Sequence, residues 1–244
     1  ENDWLIKLVQ SYFAGLKPAL IGTICAQGSY YYFYSLFRRL ATGGSELSRK
    51  HSLSLAGSLL VSSLAGCINV LLNNPIWVVV TRMQASNTSF WSTVRDMYNE
   101  DGIASMFKGL VPALLMVSNP VVQFALLEYM TKLLVNHRKT HRLSATELVL
   151  LGGLAKLGAT VICYPMHTVK SVLQVSGKGK SNPQHYKGSV DALQQLWAKN
   201  GIREFYRGMQ SKIAQSVLAA ALLHLVRQRI QLLSRKVIRS VMKA

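Results

Sequence analysis

The sequence is poor in charge and poorer still in acid. Only 16% of its 244 residues are charged, and just ten are Asp or Glu, where an ordinary soluble domain carries about a quarter. Those acids fall mainly in loops and at segment ends, with Glu128 alone inside a long apolar run. No pair of carboxylates is therefore set up for general acid–base work. Cysteine is nearly missing. Cys25, Cys67 and Cys163 each sit alone in apolar surroundings, which excludes a disulfide framework and reads as small buried side chains. The six histidines are scattered without metal-ligand spacing. Neither a phosphate-cradling glycine loop nor a nucleophile elbow occurs. An enzyme is not expected, and neither is a resident metal or cofactor.

What is present is hydrophobicity in long blocks. Residues 52–81 are thirty positions without a charge, 18–37 are twenty and 109–127 are nineteen. Two further stretches, 148–166 and 213–226, are similar but interrupted by Lys156 and His224. About twenty apolar residues cross a bilayer as a helix. A large soluble helical core is the alternative, and it is disfavoured because soluble helices seldom run thirty residues without a charged face.

The net charge of +18 invites a nucleic-acid reading, but the basic residues lie where they would flank apolar segments: Arg38-Arg39, Arg49-Lys50, residues 137–142 and the C-terminal RQRIQLLSRKVIR. That is the pattern of charge facing headgroups and water. No basic stripe is interleaved with a base-stacking module, so nucleic acid is not an expected partner and lipid is. The opening ENDW lacks a Met and carries no secretory signal, which reads as a start inside a longer chain.

Internal repetition organises the rest. The stretch NPIWVVVTRMQ around Pro75 is matched ninety residues later by YPMHTVKSVLQ around Pro165. Each is followed by a polar segment, a short amphipathic piece (about 90–99 and 189–200), and then DGIASMFKGL or NGIREFYRGM. A weaker third copy, YFAGLKPAL, begins at Tyr12. Gly15, Gly109 and Gly208 are spaced by 94 and 99 residues. The spacing predicts units at 1–48 (cut short), 49–140 and 141–244. Within a unit, a long proline-bearing helix, a surface helix and a second long helix are expected. A proline frees a backbone carbonyl and kinks a spanning helix, which a bilayer tolerates where neighbours or water satisfy that group.

These paired motifs resemble the signature of the mitochondrial carrier family: a proline, an acid two places on, bases at five and seven, then Gly, four residues, aromatic, base, Gly. SYYYFY, Trp77 in place of the acid, MVSNPVVQF, LGGLAKLGATV and SKIAQSVLAAALL are similar to the family's peroxisomal branch, above all its carriers of NAD and coenzyme A. The resemblance implies an all-α membrane protein, a helical bundle with pseudo-threefold repeats and a central wet cavity. Five long helices plus short amphipathic surface helices are counted here, the first transmembrane helix being absent from these residues. It further implies a monomer moving NAD, coenzyme A, FAD or adenine nucleotides as cargo by alternating access. The expected location is the peroxisomal membrane, with the mitochondrial inner membrane as the alternative. A carrier-fold protein that does not transport, or that carries another anion, is the second reading.

Lys156 is the sharpest candidate for binding substrate. It lies nine residues, about 13 Å, before Pro165, and a charge at such depth by default marks a cavity or pathway. Snorkelling is the alternative. Family substrate contacts fall about seven residues past the aromatic-base glycine, which lands on Gly22-Thr23, Met116-Val117 and Gln215-Ser216. Small residues there leave room for a flat adenine, against which Met116 or Val117 could pack. Lys212 opens the last long helix and reads equally as substrate-facing or headgroup-facing. Gln27, Asn119 and Gln123 read as substrate contacts or as interhelix hydrogen bonds.

The tyrosine run at 30–34 cannot face one way, and interfacial anchoring accounts for part of it. Family gates pair the acid after each proline with a base of the next repeat. Here Trp77 and His167 replace the acids, while Val80 and Lys170 occupy the base positions. On the opposite side Ser35, Glu128 and Gln228 stand where acids are expected, and Arg38, Thr131 and Gln231 where bases are. Trp77 is expected to plug a closed state. His167 is a candidate pH-sensitive group or a structural one. Arg82 and Lys170 either guide anions at a mouth or cap solvated helix ends.

Overall fold

The computed structural model describes residues 16–43, 53–86, 88–138, 143–176 and 186–216, together with 218, 219, 222, 226, 230 and 234. Among them are helices and turns and no strand. Glu1–Phe205 form one compact unit and Tyr206–Ala244 a second. The YFAGLKPAL copy lies outside the described residues up to position 15, as do Gln228 and Gln231.

The first unit opens with α1 (Leu16–Ala41), which ends on Arg38 and Arg39, and packs along α2 (Leu55–Ser86). Gly22 allows the approach, since a Cβ there would lie 3.1 Å from Ile76 Cγ2. Small residues at such crossings are how apolar helices associate where no hydrophobic force drives them together. The Asn73 amide adds polar adhesion, donating to Ser29 Oγ across the interface at 3.2 Å and to two oxygens of Asn69 at 2.9 Å.

Next comes α2, which runs unbroken through Pro75 into a buried patch of Val78, Val79 and Val80. Against it packs α3 (Phe90–Asp101), with Val78, Val79 and Met97 forming a core cluster flanked by Val94 and Met106. Ser89 caps the start of α3 by accepting from Ser92 N–H, and Gly102 (φ 62°) ends it. A 3-10 turn, Gly102–Phe107, leads to α4 (Leu110–Leu115).

The single long helix expected after Gly109 is instead two. Following α4 is a 3-10 turn, Met116–Ser118, and then α5 (Asn119–Arg138). Pro120 supplies the reason: it has no N–H to give the carbonyl of Met116, and its ring crowds the preceding turn.

Packed on α5 is α6 (Ala145–Val175), begun by a Ser144–Glu147 capping box and continuous through Pro165. Fully buried Ala155 and Ala159 line its covered side, and a Cβ on Gly158 would come within 3.0 Å of Leu126. Finally, α7 (Ser189–Asn200) and α8 (Ile202–Phe205) repeat the α3 region. Both surface helices have 12 residues and end in a glycine, Gly102 at φ 62° and Gly201 at φ 58°.

By length and composition the stretches Leu55–Ser86, Phe90–His137 and Thr146–Val175 can cross a membrane. The middle one turns at Gly102 and Gly109, both at positive φ, which leaves α4 and α5 as its crossing part. In α1, 26 residues give about 39 Å of helix, enough to span a bilayer, though four tyrosines make it less apolar. In the second unit residues 209–216 are helical, begun by the Lys212 N–H to Gly208 carbonyl bond at 3.0 Å.

Candidate functional site

Lys156 lies on α6 eleven residues from the start of the helix, about 16 Å along its axis. Its side chain is not covered by protein. What surrounds it along the helix is informative. Steps of four, three, four, four and three carry the same side of α6 from Lys156 through Thr160, Cys163, His167 and Ser171 to Gln174. Leu150, Leu154, Leu157 and Val161 lie on another side and are exposed. One helix therefore bears an apolar outer face, a small-residue packing face at Ala155 and Ala159, and a polar stripe headed by a cation. Thr160 donates to the Lys156 carbonyl at 2.8 Å. Further along, His167 stacks on Tyr164 (centroids 5.8 Å apart, planes at 7°) and meets Ser171 Oγ at 3.4 Å through Nδ1. The stripe ends at Gln174, whose buried amide nitrogen has no hydrogen-bond partner among the described residues.

Other expected contacts divide. Thr23 and Gln27 on α1 are exposed, and Thr23 Oγ1 bonds back to the Ala19 carbonyl at 2.7 Å. Met116, Asn119 and Gln123 are half-buried around the break between α4 and α5. In the second unit Lys212 Nζ reaches Gln215 Oε1 at 3.4 Å, and Ser216 bonds the Lys212 carbonyl.

One expectation needs correcting. Gly22 does not leave space for a base; it is buried at the α1–α2 crossing, where Ile76 fills the room. It serves helix packing, because close backbone approach needs a small residue against a branched one. Val117 is half-buried beside α2, its Cγ1 lying 2.8 Å from where a Cβ on Gly66 would stand.

Arg82 is a second correction. It neither waits at a mouth nor caps a solvated end. Its guanidinium is buried, with NH1 on Glu100 Oε2 at 2.8 Å, Nε on the Gln174 carbonyl at 3.3 Å and NH2 on the Ser176 carbonyl. It thus ties the ends of α2 and α3 to the orphan carbonyls at the C-terminus of α6.

Sequence reasoning missed several polar residues that the fold relies on. Asn74 donates to the Met106 carbonyl at 3.1 Å, and Thr168 to the Phe205 carbonyl at 2.6 Å. Met106 and Phe205 are equivalent positions, 99 residues apart, so each repeat holds the same carbonyl by a different donor. Buried Glu204 is held by Asn200 at 3.0 Å and Lys199 at 3.5 Å. A signal was available: Asn73-Asn74 are amides in an uncharged run, where partners are obligatory.

The geometry above meets known proteins at two places in the chain. The sequence profile described as Mitochondrial carrier protein matches residues 51–138 and again 141–236. The chain belongs to the mitochondrial carrier family. It is 41% identical over 253 residues to the peroxisomal nicotinamide adenine dinucleotide carrier of Arabidopsis thaliana, covering 88% of this chain and 76% of that one. To the mitochondrial substrate carrier family protein Q of Dictyostelium discoideum it is 37% identical, with 94% and 69% covered. To the peroxisomal adenine nucleotide carrier 1 of Arabidopsis thaliana it is 28% identical, with 91% and 72% covered.

In this carrier, the positions that family gates fill with charge look different. Trp77 is half-buried and Val80 buried. Glu128 is bonded to Lys132 one turn along its own helix at 2.7 Å, on an exposed surface, where such pairs contribute little. Arg38 is exposed at the end of α1. Lys170 lends its carbonyl to the surroundings of Gly109.

Proposed function

We propose that this carrier moves nucleotide-type cofactors (NAD, coenzyme A, FAD or adenine nucleotides) across the peroxisomal membrane by alternating access, with Lys156 as the phosphate anchor. One observation carries the reading: Lys156 heads a stripe of hydroxyl, thiol, imidazole and amide groups on α6, while leucines and a valine occupy another side of the same helix. A lysine facing acyl chains at that depth would cost several kcal/mol. The same lysine in a wet vestibule is free to attract a pyrophosphate. Related proteins named as peroxisomal carriers of NAD and of adenine nucleotides support the substrate class and the membrane. The reading also takes 49–140 and 141–244 as full repeat units.

Uptake of labelled NAD, coenzyme A and ATP into liposomes tests it. Parent protein is expected to take up at least one of them. Lys156→Ala should lower that uptake about ten-fold or more, the scale of a hydrogen bond to a charged group, and Lys156→Arg should retain most of it. Equal uptake by Lys156→Ala and parent would remove Lys156 as the anchor.

A further inference from the structure

The tyrosine run on α1 is sorted by the helix into two sides. Tyr31 and Tyr32 are 66% and 64% exposed and stand on the side of Ile21 and Ile24. Tyr30 and Tyr34 are half-buried on another side, in line with Thr23 and Gln27 at steps of four, three and four residues. The third side, Gly22 and Ser29, belongs to the α2 interface. Tyr30 and Tyr34 stack on each other with ring centroids 6.1 Å apart and planes at 19°. Tyr30 lies eight residues, about 12 Å, inside Arg38, deeper than the headgroup-level belt where membrane tyrosines gather. On one stripe the helix thus offers a hydroxyl, an amide and a pair of parallel rings, away from both the α2 contact and the side of Ile21 and Ile24.

We infer that Tyr30, backed by Tyr34, is a stacking platform for the planar base of a nucleotide, with the Gln27 amide at hand to donate to and accept from the base edge. The inference rests on the transport reading above and adds to it a subsite for the base, apart from the phosphate anchor. Every base has a π-face, so such a platform is tolerant of base identity. An amide that both donates and accepts is tolerant too. Holding Tyr30 in place by a stacked neighbour lowers the cost of ordering it when the base arrives. Cargo would then be held by two chemically distinct ends, base on α1 and phosphate on α6.

The experiment compares a nucleotide with a base-free polyphosphate. Equilibrium binding of ADP and of inorganic tripolyphosphate is measured on the purified chain in detergent for the parent, Tyr30→Phe and Tyr30→Leu, with melting temperature recorded for each. Tyr30→Leu is expected to weaken ADP binding about ten-fold, within the range of one base–aromatic stack. Tripolyphosphate binding should stay at the parent level, and Tyr30→Phe should behave as the parent for both. Unchanged ADP affinity in Tyr30→Leu would overturn the subsite. So would an equal loss for both ligands, which marks general damage. If the parent binds tripolyphosphate and not ADP, the subsite fails while the anchor stands; if it binds neither, the transport reading itself fails.

Discussion

At the scale of single residues, Arg82 shows how far a side chain's role can lie from its position in a motif. A buried guanidinium with three acceptors on two other segments is a clamp, and its fork shape is what lets it reach all three. A lysine ammonium keeps the charge but cannot span them together. Arg82→Lys is therefore expected to lower the melting temperature of the detergent-solubilised protein. Glu100→Gln should lower it less, because the two carbonyl acceptors remain. Arg82→Leu should cost most, on the order of 3 kcal/mol, since it strands Glu100 and two buried carbonyls. If Arg82→Lys melts with the parent, the clamp is not what joins these segments. Nothing in the local sequence announced it. Its partners lie 18, 92 and 94 residues away, and only tertiary packing brings them together. Lys156 stands out in the sequence for the opposite reason, being a lone charge in an apolar run.

At the scale of elements, the repeated glycines carry the turn chemistry. Gly109 sits at φ 75°, and a Cβ there would lie 3.1 Å from the Lys170 carbonyl oxygen. Left-handed backbone alone costs an alanine about 1–2 kcal/mol, and the crowding against α6 adds to it. Gly109→Ala should therefore destabilise the carrier. Gly152, inside α6 with nothing within 4 Å of its built Cβ, provides the contrast: Gly152→Ala should be neutral or stabilising by up to about 1 kcal/mol. Thermal unfolding of the two variants checks the pair, and a Gly109→Ala protein as stable as the parent would refute the turn argument. These elements were readable because their determinants are local. Ser89 and Ser144 precede α3 and α6, Gly102 and Gly201 end the surface helices, and hydrophobic spacing identifies the buried Met97 and Leu196. The break before Asn119 escaped because the apolar run continues through it, and hydrophobicity does not register a missing N–H.

At the scale of the whole molecule, the proposed transport cycle turns on what holds each side shut. An ion pair between repeats is a two-state latch more than a stabiliser, because breaking it exposes both charges to strong rehydration. Trp77 and Val80 cannot form one in any surroundings, and Glu128 pairs with an exposed neighbour on its own helix. On the transport reading, the Pro75 side then closes without an ion pair at the signature positions Trp77 and Val80. The empty carrier should therefore reorient readily, and net uptake should not demand exchange. Liposomes loaded with unlabelled substrate and liposomes loaded with buffer alone should take up labelled nucleotide at rates within a few-fold of each other. Adding back a carboxylate in Trp77→Asp should widen that gap by restoring an acid at the position where the family signature has one. Uptake that vanishes without internal substrate in the parent would contradict this, and would assign the barrier to a latch other than the positions that the family signature fills with charge.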